Sequence, residues 1–249
     1  MPVITPRGLE INLDAALPLE AVHVARALLR TSRIAALATI DPSGYPYSTV
    51  TNLAIEPNGT PFFYTAGLAL HARNIDGDER ISLTVAETST DVMTTPRLTL
   101  VGRAVLVPDH EIAELKQRYV DRYPKGKLYL SLRDSRLYRL QVEGVQLNGG
   151  PARNANDVQP QDLLTELAGA EALMASASEI IAVLNSGEQP SNLAVRSGAK
   201  LGRWRVTSID PTGIDLATTD ALARLWLPQP VHSKDEFFAA LAEIEAQRP

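Results

Sequence analysis

The runs Arg33-Ile-Ala-Ala-Leu-Ala-Thr39, Pro46-Tyr-Ser-Thr-Val-Thr-Asn-Leu53 and Pro61-Phe-Phe-Tyr-Thr65, followed by Leu70-His-Ala-Arg-Asn74, decide how this chain folds. Asp41-Pro-Ser-Gly44 separates the first two runs and Pro57-Asn-Gly59 the next two, and both are turn-forming sequences. Short β-compatible runs between such turns pair with their neighbours, so the block reads as an antiparallel meander that ends in a short polar helix.

Upstream, Pro18 to Arg30 carries Ala21, Val24, Ala25 and Leu28 at helical spacing, with Pro18 suited to the first turn. Downstream, a helix over Ala69 to Ile75 stops at Gly77, and Ile81 to Ala86 is a strand. Arg97 to Val107 is another strand, in which Leu98, Leu100 and Gly102 alternate with Thr99, Val101 and Arg103. Asp109 is placed to cap a helix running to about Tyr123 with Ile112, Leu115 and Tyr119 inward, and Leu137 to Val142 and Val145 to Leu147 supply the last strands. Six or seven strands with short helices predict a closed or nearly closed barrel, which leaves no open edge.

The turn-rich stretch 151–161 reads as a linker between a barrel domain, 1–150, and a small α+β domain, 162–249. In the second domain Asp162 is expected to cap a helix to about Met174, and Ser176 or Ser178 one through Ile180, Ile181 and Leu184. Two strands, Trp204 to Ile209 and Gly213 to Thr218, then precede a last helix, capped by Ser233 and Glu236, through Phe237, Leu241 and Ile244.

Composition excludes several functions. With 24 Lys and Arg scattered through a chain of net charge −5, there is no concentrated basic patch for nucleic acid. No apolar run approaches the ~20 residues that cross a bilayer, and the N-terminus has no secretory signal pattern, so a cytoplasmic location without a membrane partner is expected. The chain has no cysteine, and its four histidines, His23, His71, His110 and His232, lack metal-site spacing, so no metal centre is expected. No Gly-x-Ser-x-Gly elbow, phosphate-binding P-loop or Gly-x-Gly-x-x-Gly turn is present.

What remains is the block itself. A phosphate monoester joined to a flat ring system calls for hydroxyls, one or two cations and a helix N-terminus. Ser48, Thr49 and Thr51 offer hydroxyls around Val50, Tyr64 and Thr65 end the third strand, and His71, Arg73 and Asn74 open the helix. Over roughly residues 20 to 147 this pattern resembles the FMN-binding split β-barrel proteins related to pyridoxamine 5′-phosphate oxidase, in which small polar residues, a Tyr-Thr strand end and a basic helix start carry the FMN phosphate. The resemblance implies an α+β protein, a split β-barrel with a small C-terminal domain, that binds FMN through those nine residues. It further implies a homodimeric oxidoreductase acting on a small organic substrate, with Ile34 to Leu37, Val50 to Leu53 and Leu98 to Leu100 as its interface.

Downstream, Ile209-Asp-Pro-Thr-Gly-Ile-Asp-Leu216, Arg224-Leu-Trp-Leu227 and Pro230-Val231 resemble the small domain of HugZ-type haem-degrading proteins, which makes haem binding or degradation the alternative function and a non-catalytic ligand-binding module the third. Two departures from that family point to weak haem binding. Glu188 stands where a His is usual, and Gly149-Gly-Pro-Ala-Arg153 replaces the usual Gly-Gly-Phe-Gly-x-Ala closure.

Overall fold

In a computed structural model, the structure describes residues 3–4, 20–87, 91, 94–149, 154–155 and 158–246. The chain divides into two compact units, Met1–Leu164 and Thr165–Pro249.

The first unit is built on α1 (Ala21–Thr31), β1 (Ile34–Ile40), β2 (Pro46–Ile55), β3 (Pro61–Ala66), α2 (Leu70–Gly77), β4 (Arg80–Ala86), β5 (Arg97–Leu106), α3 (Asp109–Arg122), α4 (Gly126–Leu130), β6 (Ser135–Asn148) and β7 (Asn154–Ala155). The sheet order is β3-β2-β1-β4-β5-β6-β7, and β3 also pairs with β6. That last pairing closes six antiparallel strands into the expected split barrel. Leu37, Leu53, Phe63, Leu83, Leu100 and Leu140 fill its interior, and α1 packs Ala25, Leu28 and Leu29 onto the same core. Two turn glycines carry the backbone conformations that a side chain would strain, Gly44 at φ 86° and Gly59 at φ 92°. A second core lies outside the wall, where Leu115, Tyr119 and Tyr123 cover Ala54, Phe62 and Leu137.

Several expectations change in detail. The last barrel strands are one 14-residue strand, β6, because Gly144 does not end it. Val101 pairs with Gly144 and Gly102 with Val142, which leaves Glu143 as the extra residue of a bulge. A Cβ on Gly102 would lie 1.9 Å from the Gln141 carbonyl oxygen, so glycine is needed at this crossing. Asp109 is the first helical residue of α3 and Pro108 holds the cap position, so Asp109 acts through its charge near the helix start. Pro18 lies outside the described residues, as do Gly150 to Arg153 of the expected closure motif.

Part of the expected linker belongs to the barrel. β7 pairs with the end of β6, and Val158 and Leu163 join the barrel core. Residues 160–163 form a single 3-10 turn in place of the helix expected from Asp162, whose carboxylate accepts the Gln159 N–H at 2.8 Å.

The second unit comprises α5 (Glu171–Ala175), α6 (Ala177–Asn185), α7 (Gln189–Arg196), β8 (Arg205–Asp210), β9 (Gly213–Ala217), β10 (Leu222–Trp226) and α8 (Lys234–Ala246). Its strands form a meander, β10-β9-β8, and β10 was not anticipated as a strand. Ser233 and Glu236 do cap α8: the Glu236 N–H donates to Ser233 Oγ, and the Glu236 carboxylate accepts the His232 N–H. Leu173, Ile180, Leu184, Leu193, Phe237 and Leu241 make the core. The Arg224 guanidinium is fully buried over the Trp226 ring and pairs with Asp210 at 2.6 Å and Asp215 at 2.9 Å.

Candidate functional site

The site grows from the end of β3. Phe63 and Thr65 face the barrel interior, whereas Phe62 and Tyr64 face the α3 cluster, because side chains alternate along a strand. After Ala66 the chain turns, with the Gly67 N–H donating to the Asp134 carbonyl at 2.7 Å, and α2 starts three residues later. No side chain caps this helix start, and since the Ala72 N–H already donates to the Ala69 carbonyl at 3.0 Å, the Leu70 and His71 N–H groups are the ones left for an anion.

The buried Thr65 hydroxyl sits 2.7 Å from His71 Nε2 and 3.1 Å from the Ala66 carbonyl oxygen. The hydroxyl has one proton, and when it goes to Ala66 the imidazole donates through Nε2 and keeps Nδ1 as an acceptor. Burial lowers the His71 pKa and so favours the neutral ring. Two residues on, the exposed Arg73 guanidinium makes no hydrogen bond or ion pair among the described residues. Asn74 is turned inward, 1% exposed, and donates to Thr39 Oγ1 at 3.0 Å, and its Oδ1 has no partner among the described residues.

The strand residues split between two faces. Thr49 and Thr51 are half-buried on one side of β2, and the Thr51 hydroxyl approaches the Tyr64 carbonyl at 3.4 Å. Ser48 and Val50 lie on the opposite, exposed side. The structure therefore brings together Thr51, the Tyr64 backbone, Thr65 and His71, places Arg73 at their edge and Asn74 behind them, and turns Ser48 and Val50 away from Thr49 and Thr51. The Tyr64 hydroxyl is held protonated by burial, helped by Asp134 and Tyr129, and burial pushes Tyr119 up to about 12.

Sequence reading missed two participants. Thr39 anchors Asn74 across 35 residues, and Arg136 is the ladder partner of Thr65. The Arg136 guanidinium is paired at 2.7 Å with Asp76 of α2 and also donates to Tyr138 Oη, contacts that hold it protonated. Only the β3–β6 closure brings Arg136 here, and nothing local in Ser135-Arg-Leu-Tyr138 signals it.

A β-barrel model described as "CREG, beta-barrel" matches residues 17–153, more than half of the chain. The chain belongs to the CREG β-barrel family. The CREG-family chain is also 55% identical to the Agrobacterium tumefaciens protein Atu2129, of unknown function, with 98% of this chain and 99% of that one covered at a TM-score of 0.88. The haem-binding protein from Mycobacterium smegmatis shares the fold at 24% identity, 92% and 97% coverage and a TM-score of 0.56. A chloroplastic non-canonical heme oxygenase, HOZ, from Arabidopsis thaliana is 27% identical over 146 residues, 58% of this chain, and the match spans only 45% of that protein. Among the described residues of this CREG-family barrel and its second unit, no helix is long and apolar enough to cross a membrane.

Proposed function

We propose that this CREG-family protein is an FMN-binding homodimer that moves hydride or electrons to or from a small organic substrate. The observation that supports this best is the Thr65–His71 pair at the uncapped start of α2, with the unpaired Arg73 beside it. This set suits the phosphate end of a flavin mononucleotide: a guanidinium fork, a helix N-terminus and, when the Thr65 hydroxyl donates to Nε2, an imidazole left with Nδ1–H as its donor. FMN, when bound, would supply the redox chemistry of the isoalloxazine ring. Arg73 would neutralise the phosphate, Thr65 would hold the ring of His71, and the Thr39–Asn74 bond would keep α2 seated on the barrel. Tyr64, as a protonated phenol, would be a donor and not a base.

The dimer face we propose is narrower than the one the resemblance implies. Leu37, Leu53, Leu98 and Leu100 all point into the barrel, each no more than 1% exposed. On the outer side of the β1–β2 pair, Ile34 at 59% and Val50 at 65% exposure stand beside Ala36, and this stripe is the interface we assign to a second copy. The visible spectrum of the purified protein tests the cofactor: flavin absorption, with FMN released on denaturation, is expected. A protein that neither carries FMN nor takes it up in calorimetry would overturn the reading.

The likeness to a heme oxygenase favours a second reading, haem binding. Haem iron requires a His, Cys, Met or Tyr ligand. His71 Nε2 is engaged by Thr65, and in the second unit Asn185 is spent on the Val206 backbone while Glu188 is exposed. His232, half-exposed beside Glu236, is the ligand this reading would use. A sharp Soret band on haem addition, abolished by His232→Ala, would put haem first.

A further inference from the structure

The segment after α3 is inside out. Within Gly126-Lys-Leu-Tyr-Leu130, residues one helical turn apart, Gly126 and Leu130, are the buried ones. Gly126 lies so close to the Tyr119 ring that a Cβ there would meet Cε1 at 2.8 Å, and Lys116 Nζ donates to the Leu130 carbonyl at 2.8 Å. These contacts pin α4 with Lys127, Leu128 and Tyr129 outward. Leu128 is 70% exposed and Tyr129 56%, and Leu132 just beyond is 47% exposed. The Gly67–Asp134 hydrogen bond brings Leu68, 74% exposed, to the same end of the unit.

Exposed apolar side chains clustered in this way mark an interaction surface. Their neighbours say what kind. Lys125, Lys127 and Arg133 are exposed, and none of the three makes a hydrogen bond or ion pair among the described residues. The protein as a whole is acidic, so these free cations around an apolar centre are a local feature, opposite in sign to the net charge of −5. Three free cations interleaved in sequence with exposed leucine and tyrosine side chains, against the one carboxylate of Asp134, complement an anionic lipid surface, where the rings and branched chains enter the interface and the cations meet the headgroups.

We propose that the α4 surface docks on anionic membranes. The sequence expectation of no membrane partner rests on the lack of a spanning segment, and interfacial docking needs none. The surface adjoins the proposed cofactor site through Gly67, Tyr129 and Asp134, but the docking argument uses neither Thr65, His71 nor Arg73.

The test is sedimentation of the full chain with vesicles of phosphatidylcholine alone or of phosphatidylcholine with phosphatidylserine. Binding to the serine-containing vesicles only, weakening as salt is raised, is expected. Each cation near such a surface contributes about fivefold, so the triple variant Lys125→Gln, Lys127→Gln, Arg133→Gln should bind roughly 100-fold more weakly. Leu128→Ser with Leu132→Ser should also lose binding while circular dichroism and melting stay unchanged, because both side chains are exposed. No sedimentation with either vesicle, or equal sedimentation of the triple variant, would overturn the proposal. So would a leucine variant that changes only from dimer to monomer in light scattering, which would make the face a contact between copies.

Discussion

Replacing Arg73 by alanine separates a ligand-binding charge from a solvated one. Arg73 lies on α2 two residues after His71, exposed and without a partner, so the folded protein loses no contact when the guanidinium is removed. Stability should stay within about 0.5 kcal/mol of the parent, the usual range for a surface change away from special features. Binding should not. A charge-assisted hydrogen bond to a phosphate contributes about 1.5–3 kcal/mol, which is roughly 10- to 150-fold in affinity. Titration calorimetry with FMN and with riboflavin, which lacks the phosphate, measures both sides: Arg73→Ala should weaken FMN by that factor and leave riboflavin unchanged. Equal FMN affinity in parent and variant would refute the assignment of Arg73 to the phosphate. An equal loss for FMN and riboflavin would show that the side chain acts elsewhere.

Four further outcomes are expected. Since burial lowers the His71 pKa, the unfolded chain binds the extra proton first; the barrel should be most stable above about pH 6.5, the unfolded value, and lose stability as pH falls below it, and urea titrations of His71→Gln should show a flatter profile. Arg224→Leu leaves Asp210 and Asp215 buried without their cation, which should cost the second unit about 3–5 kcal/mol in chemical unfolding, and a cost below about 1 kcal/mol would mean the triad is not sealed from water. Asn185→Ala removes both side-chain hydrogen bonds to Val206, at 2.9 and 2.8 Å, and should lower stability by about 1–3 kcal/mol by the same measurement. Val50→Asp should halve the mass seen by light scattering, and an unchanged mass would move the dimer face off the β1–β2 stripe.

How much of this was legible in the sequence depends on the range of the signal. The barrel strands around residues 33–65 follow from local rules, because Pro, Gly, Asn and Asp punctuate β-compatible runs at both ends. The short helix at 70–77 and the cap of α8 by Ser233 and Glu236 are local in the same way. The helix expected from Asp162 failed because one carboxylate can serve any nearby N–H, and here it serves a single 3-10 turn. The unity of β6 was hidden by Gly144, a residue that reads as a stop and acts at a bulge.

The sequence by itself determined the α+β class and the strands and turns of the β1–β3 block, and it supplied a set of eight polar and basic residues with Val50 near β2, β3 and α2. Only the tertiary structure decided which of those residues come together. That Thr49 and Thr51 part from Ser48 and Val50 is local to a strand, but that the threonine side is the half-buried one was set by the barrel packed against it. Thr65 meets Arg136, and Asn74 meets Thr39, only because the barrel closes between β3 and β6 and α2 folds back on β1. The outward leucine and tyrosine of α4 were decided by Gly126 and Leu130, which pack inward and leave the apolar residues between them no place in the core.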